Sequence, residues 1–237
     1  MSHHDRFSLV GHSSMPFMNP LTESELLELL HPVALRPGAR TVDLAGGRAD
    51  LSRLLATRFQ CVTTSVDVSP AACDAARERT SGLPVEVLVM RAEDHVARQL
   101  PNSFALASVI GAIHAFGSGI VGFRKALRQL APLATHVLLA DLVALGARAA
   151  RAFDVTPADE LDHLFGKHVV SFLHLGPERV AAYEQAWCGN LAAYLAAHPG
   201  DPREAWARER IAWSAAPDLR AARTELGFRA FVLRSRA

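Results

Sequence analysis

The stretch Arg40-Thr41-Val42-Asp43-Leu44-Ala45-Gly46-Gly47-Arg48-Ala49-Asp50-Leu51-Ser52-Arg53-Leu54-Leu55-Ala56, with a second apolar run closing on Ser65-Val66-Asp67, decides the fold. Thr41 to Leu44 is β-branched and apolar and reads as a strand. It breaks at Gly46-Gly47 and passes straight into a helix whose apolar positions are Leu51, Leu54, Leu55 and Phe59. An acidic residue, Asp67, ends the next strand about twenty positions on, which is the layout of a nucleotide-binding βαβ unit. In such a unit the glycines let the backbone approach a ligand, the helix N-terminus faces it, and the carboxylate accepts from ribose hydroxyls.

Outward from this unit the rhythm continues. Strands are expected at 41–44, 62–67, 85–90, 104–110 and 136–141, and helices at about 49–58, 70–80 and 118–131. Ser69 is placed to cap the second of these helices, with Pro70 at its first position. Alternating strand and helix implies a doubly wound, mostly parallel sheet. Upstream, Thr22 and Glu25 form a capping-box pattern before a helix carrying Leu26, Leu27, Leu29 and Leu30. Downstream, 142–165 reads as helical and 168–175 as a strand. A helix with Val180, Tyr183, Trp187 and Leu191 then stops at His198-Pro199-Gly200, another covers about 203–225, and a last strand covers 227–233. There is no repeat, low-complexity tract or linker, so a single unit over 1–237 is expected.

The chain has 237 residues, half of them apolar and 21% charged, the profile of an ordinary globular protein. A net charge of +1 leaves no electrostatic footprint for nucleic acid or an anionic membrane. Cys61, Cys73 and Cys188 are widely spaced and form no redox or ligand motif, so a cytoplasmic setting is expected. The N-terminus lacks the apolar core of a signal peptide. The uncharged run from Phe104 to Phe123 is broken by Gly111, Gly117, Gly119 and Gly122 and reads as a buried strand, a loop and a helix start. His163, His168 and His174 do not have the spacing of a zinc site, and no metal is expected.

Two ligand classes compete for the glycine loop. A nicotinamide or flavin site favours Gly-x-Gly-x-x-Gly, which Ala45-Gly46-Gly47-Arg48-Ala49 fits poorly. An acid at the strand end, Asp43, favours S-adenosylmethionine, whose ammonium needs a negative environment and whose carboxylate can sit at a helix N-terminus. Asp43, the glycine loop, Asp67 and the Arg91-Ala92-Glu93-Asp94 turn together resemble the class I S-adenosylmethionine-dependent methyltransferases. Ala45 and Ala49 stand where that family has its first and last glycines, and Gly47 keeps the central one. The resemblance implies a Rossmann-like, doubly wound, seven-stranded mostly parallel sheet with S-adenosyl-L-methionine as cofactor. It implies that Asp43, Ala45, Gly46 and Gly47 hold the methionine end, and that Asp67 holds the ribose. Val68, Ala92 and Glu93 would border the adenine, and Ile110 and Gly111 the methionine moiety. Asn19-Pro20, Gly111-Ala112, Tyr183-Glu184, Trp187, Asn190 to Tyr194 and His198-Pro199-Gly200-Asp201 are similar to a bacterial group that adds an N-terminal Asn-Pro segment and a helical cap. The expected division is a helical lid at 1–36, a cofactor-binding core at 37–141, a substrate-side cap insertion at 142–225 and a final sheet strand at 226–237.

Methyl transfer is an in-line displacement, so the protein chiefly aligns the acceptor and excludes water; a base matters only where the acceptor must lose a proton. His114, after the fourth strand, is the candidate base or positioning residue, and His12 in the lid is a second candidate. Asp141 ends the fifth strand, where it could orient an acceptor or cap the next helix. Met15, Phe17, Met18, Asn19 and Phe116 are candidates for an acceptor wall, and Tyr183 and Trp187 for either substrate contact or the cap's own core. The expected function is methyl transfer to a small-molecule acceptor, by O- or N-methylation, in a monomer or homodimer. The alternatives are S-adenosylmethionine binding with non-methyl chemistry, or a non-catalytic partner of the same fold.

Overall fold

A computed structural model describes residues 8–201 and 204–235. Residues 8–11 are helical, and a loop leads to α1 (Glu23–Leu30). Thr22 caps α1: its hydroxyl accepts from the Glu25 N–H, while the Glu25 carboxylate takes the Thr22 N–H at 2.7 Å. β1 (Arg40–Leu44), α2 (Asp50–Arg58), β2 (Val62–Asp67), α3 (Pro70–Arg79), β3 (Val85–Val89), α4 (Ala92–Val96), β4 (Phe104–Ile110), α5 (Gly119–Leu130) and β5 (Ala134–Ala144) then alternate. The chain continues through α6 (Ala147–Phe153), β6 (Thr156–Pro157), α7 (Ala158–Phe165), β7 (Val169–Leu175), α8 (Pro177–Ala197), α9 (Glu204–Ala215), α10 (Pro217–Arg223) and β8 (Leu226–Arg234).

The sheet order is β3-β2-β1-β4-β5-β8-β7, with β6 paired to the end of β5, so the strands number eight where seven are expected from the sequence. β8 is antiparallel to both neighbours and the other pairings are parallel. Period-two alternation puts Val137 and Leu139 of β5 and Phe231 and Leu233 of β8 on one face, against Phe123, Ala126 and Leu130 of α5 and Leu161 and Phe165 of α7. Leu138, Ala140, Phe228, Ala230 and Val232 point to the other face, against Leu26, Leu29 and Leu30 of α1 and Leu51, Leu54 and Leu55 of α2. Burial on both faces explains the long apolar runs. A small third core joins Leu191 and Leu195 of α8 to Ala207 of α9, with Val10 and Trp187 against it.

Four sequence expectations change. β5 runs on to Ala144, because residues 142–144 pair with Phe228 to Leu226 of β8; this segment reads as helical in the sequence. The 203–225 helix is broken at Ala216-Pro217 into α9 and α10. Residues 92–96 form a short helix where a turn is expected. The segments assigned to lid and cap also share the sheet: β7 is an edge strand, and α1 packs on the sheet core. Only 8–19 of the described N-terminal residues form a strap over the carboxyl edge. Among the described residues, no helix is long and apolar enough to cross a membrane.

Candidate active site

β1 lies between β2 and β4, and the helices that follow β1 and β4 pack on opposite faces of the sheet. That reversal opens a crevice beyond the carboxyl ends of the strands. It holds a cavity of about 540 Å³. Asp43, Ala45, Gly46 and Gly47 line it from β1 and its loop, Asp67 and Val68 from the end of β2, Ala92 and Glu93 from α4, and Ile110 and Gly111 from the end of β4.

The loop after β1 takes left-handed backbone at every second residue: φ is 53° at Ala45, 56° at Gly47 and 59° at Ala49. These are the positions where the family pattern has glycine, so both alanines adopt a conformation that costs an L side chain about 1–2 kcal/mol. At Gly46 space is limiting instead. A Cβ there would lie 2.5 Å from Ser65 Oγ and 3.0 Å from Asp43 Oδ2.

Strand register puts Ser65 and Ser108 on either side of Asp43. Ser108 Oγ donates to Asp43 Oδ1 at 3.1 Å, and Ser52 Oγ donates to Oδ2 at 3.0 Å. Burial outweighs these two donors and pushes the Asp43 carboxyl up to about 6, with Asp50 and Asp67 adding in the same direction. Asp67 Oδ2 accepts from the Gly47 N–H and Oδ1 from the Ser69 N–H, each at 2.8 Å. A carboxylate has about four acceptor sites, so roughly half of its capacity is left for a ligand. Glu93 pairs with Lys125 and Arg91, which hold its carboxyl below the usual range, Lys125 contributing most.

The strap forms the other wall. His12, Met18 and Asn19 line the cavity, with Tyr183 reaching in from α8 and His114 from the loop after β4. His12 Nδ1 lies 2.6 Å from Ser8 O and Nε2 lies 2.5 Å from Tyr183 Oη. Burial lowers the His12 pKa and raises that of Tyr183 above its usual range. His114 is exposed, and its ring makes no hydrogen bond to a described residue.

Arg48 ties strap to loop. Buried beside Gly47, its guanidinium donates to His12 O and Met15 O, each at 2.9 Å, and pairs with Asp50 at 3.0 Å. Asp50 is in turn held by Arg79 at 2.8 Å. Sequence reasoning missed this network because Arg48 meets partners more than thirty residues away; a charged residue inside a glycine loop was the available signal. It also missed Ser8, Leu9, Met90 and Ala115 in the lining.

Five expected substrate residues lie outside the lining. Phe17 and Phe116 are each 2% exposed and belong to the two sheet cores. Asp141 accepts from the Ile113 N–H at 2.9 Å and the Leu142 N–H at 2.8 Å, so it anchors the loop that carries His114 instead of facing the cavity. Trp187 packs on the strap at Gly11, where a Cβ would lie 2.1 Å from its Nε1. Met15 contributes its carbonyl to Arg48.

Residues 41–133 match a family model described as a methyltransferase domain. No curated protein matches the chain. Among solved structures, YjhP from E. coli is 24% identical with a TM-score of 0.81, over 98% of this chain and 100% of that one. An S-adenosylmethionine-dependent methyltransferase from Geobacter sulfurreducens, solved with S-adenosyl-L-homocysteine, is 22% identical with a TM-score of 0.80, over 98% of both chains. Another from Thiobacillus denitrificans, also solved with S-adenosyl-L-homocysteine, is 22% identical with a TM-score of 0.79, over 98% of both chains. At these identities the likeness is one of fold. The matched segment, Thr41 to Leu133, builds the floor of the cavity and the alternating left-handed loop, and it is this segment that is similar to a methyltransferase domain.

Proposed function

We propose that this chain is an S-adenosylmethionine-dependent methyltransferase acting on a small-molecule acceptor through an O–H or N–H group. One observation carries the reading: the left-handed loop 45–49, the strand-end Asp43 and the half-used Asp67 carboxylate converge on one cavity at the switch point. These residues fit the cofactor. Gly46 and Gly47 line the cavity without side chains, so the methionine end can approach the loop closely, and the free acceptor sites of Asp67 suit a ribose diol. Val68, apolar yet 61% exposed, offers a surface for adenine beside Ala92. The negative field of Asp43 suits a cationic ligand.

When bound, the cofactor supplies an electrophilic methyl on a sulfonium sulfur. The chain's own part is to hold an acceptor against that methyl and keep water out. The strap does the second, fixed by Arg48 to the loop and by Asn190, whose Nδ2 donates to Gly11 O at 2.8 Å. A cavity of about 540 Å³ that must take cofactor and acceptor together favours a small acceptor. Among the described residues of the lining Arg91 is the only arginine or lysine, and it pairs with Glu93, which favours an acceptor without a phosphate or carboxylate.

Calorimetry with S-adenosylmethionine and S-adenosylhomocysteine tests this. Both bind the wild type, and Asp67→Ala weakens both by about 10-fold or more, the worth of one or two charge-assisted hydrogen bonds. Equal affinity in the variant, or no binding to the wild type, refutes the reading. Formation of S-adenosylhomocysteine with a methylated product separates methyl transfer from other sulfonium chemistry.

A further inference from the structure

We propose that Tyr183 and His12 form a proton relay for the acceptor, with Tyr183 Oη receiving the acceptor's proton while its own proton passes to His12 Nε2. The inference rests on the methyltransferase reading above and names the groups that deprotonate the acceptor.

The hydrogen bonds dictate the direction of the relay. Ser8 O can only accept, so His12 Nδ1, at 2.6 Å, bears the hydrogen. In a neutral ring the lone pair is then on Nε2, which faces Tyr183 Oη at 2.5 Å, so the phenol donates. The single Tyr183 proton is committed to His12, and what Oη offers the cavity is its lone pairs, suited to an acceptor O–H or N–H. Burial of both groups favours the neutral forms this requires, an unprotonated imidazole behind a protonated phenol. His114, also in the lining, has no hydrogen-bond partner among the described residues to set its tautomer.

The step balances. As the acceptor heteroatom forms its bond to the methyl group, the sulfonium C–S bond breaks and its electron pair stays on sulfur as a thioether. The acceptor X–H bond breaks and its pair stays on X; the proton joins an Oη lone pair, and the original Oη proton moves to Nε2. Tyr183 ends neutral and His12 ends as imidazolium, which later releases the proton to water. Among the described residues the charged groups around the pair are Arg48, which donates to the His12 carbonyl and disfavours the imidazolium, Asp50, which favours it, and Asp141 on the side of Tyr183. The relay exists only with the strap docked. Docking is enforced by Trp187 on Gly11 and by Asn190, which donates to Gly11 O and accepts from Ser14 Oγ at 2.9 Å.

The test uses the full chain labelled with ¹⁵N-histidine and saturated with S-adenosylhomocysteine, with His12→Gln identifying the His12 resonances. The relay requires a neutral Nδ1–H tautomer at His12 and an Nε2 resonance that shifts in Tyr183→Phe as its hydrogen bond is lost. A second arm, run at pH 8, compares phenol, which must lose a proton on reaction, with 4-nitrophenol, which is mostly ionised at that pH. Tyr183→Phe should lower kcat for phenol by about 100-fold and leave 4-nitrophenol within about threefold, because only the former needs the relay. S-adenosylhomocysteine affinity should stay within about twofold of wild type, and His12→Gln combined with Tyr183→Phe should be no worse than either alone, as expected of residues acting as a unit. An Nε2–H tautomer, an Nε2 resonance unmoved by Tyr183→Phe, or equal losses for the two phenols overturns the relay. The NMR arm decides it even where neither phenol is turned over. Failure to bind S-adenosylhomocysteine at all overturns the methyltransferase reading instead.

Discussion

Replacing Ala45 and Ala49 by glycine, one at a time, probes the loop on which the cofactor site is built. Each has φ in the left-handed region, at 53° and 59°. Glycine relieves about 1–2 kcal/mol of steric cost but loses about 0.4–1 kcal/mol through the greater freedom of the unfolded chain. The side chains then separate the two positions. Ala49 is fully buried, with 0% exposure, whereas Ala45 is half-buried at the cavity wall. Losing a fully buried methyl costs about 0.8 kcal/mol, and losing a half-buried one about half as much. Ala45→Gly should therefore gain about 0.5 kcal/mol, while Ala49→Gly should be close to neutral. At about 2–4 °C per kcal/mol for a chain of this size, the first raises Tm by about 1–2 °C and the second by under about 1 °C. Ala45→Val supplies the opposite arm: a β-branched residue at positive φ is strongly disfavoured, and a loss above about 1 kcal/mol is expected. Urea and thermal unfolding measure all three. Destabilisation by Ala45→Gly, or tolerance of Ala45→Val, would refute the claim that both alanines sit in a disfavoured backbone conformation.

Further outcomes follow from individual contacts. The folded pKa of Asp43, about 6, lies above its unfolded value of 3.8, so the stabilising neutral form is fully present below pH 3.8 and is lost as pH rises through 6. Ionised Asp43 then costs on the order of 3 kcal/mol at pH 7, and Asp43→Asn should flatten the stability–pH curve between about pH 4 and 6; an unchanged slope in denaturant titrations counts against it. Asp141→Ala leaves the Ile113 and Leu142 N–H groups without their acceptor and should cost about 2–4 kcal/mol by urea unfolding, since an unsatisfied buried donor costs about 1–3 kcal/mol. Arg48→Met removes the donors to His12 O and Met15 O, and should cost about 1–3 kcal/mol and speed proteolysis within 8–19, whereas an equally resistant strap would show that Arg48 does not hold it.

Legibility in the sequence tracks the range of the interactions involved. The β1 loop and Asp67 are readable because a tight strand–helix turn and a strand-end carboxylate leave local marks in composition and spacing. The capping box at Thr22 and Glu25 is readable for the same reason. The 142–144 segment is not: a short apolar run suits helix or strand equally, and only pairing with 226–228 makes it a strand. Tertiary contacts also redistribute the expected acceptor wall. Phe17 and Phe116 have the chemistry of a pocket lining but fill the sheet cores, while Trp187 covers Gly11.

Residue order alone determined that a βαβ unit with an acid-flanked glycine loop lies at 40–67, that the sheet is doubly wound and mostly parallel, and which backbone lies at its carboxyl edge. Those features depend on side-chain period and on turn geometry within a few residues. The tertiary structure decided that Ala45 and Ala49 take left-handed backbone, that burial lifts Asp43 to about 6 against the opposing hydrogen bonds of Ser52 and Ser108, and that Arg48 closes the strap. It also decided that His12, in place of a free loop histidine, meets Tyr183 across 171 residues of chain. Each is set by what is brought close in space and withdrawn from water, which no local pattern encodes.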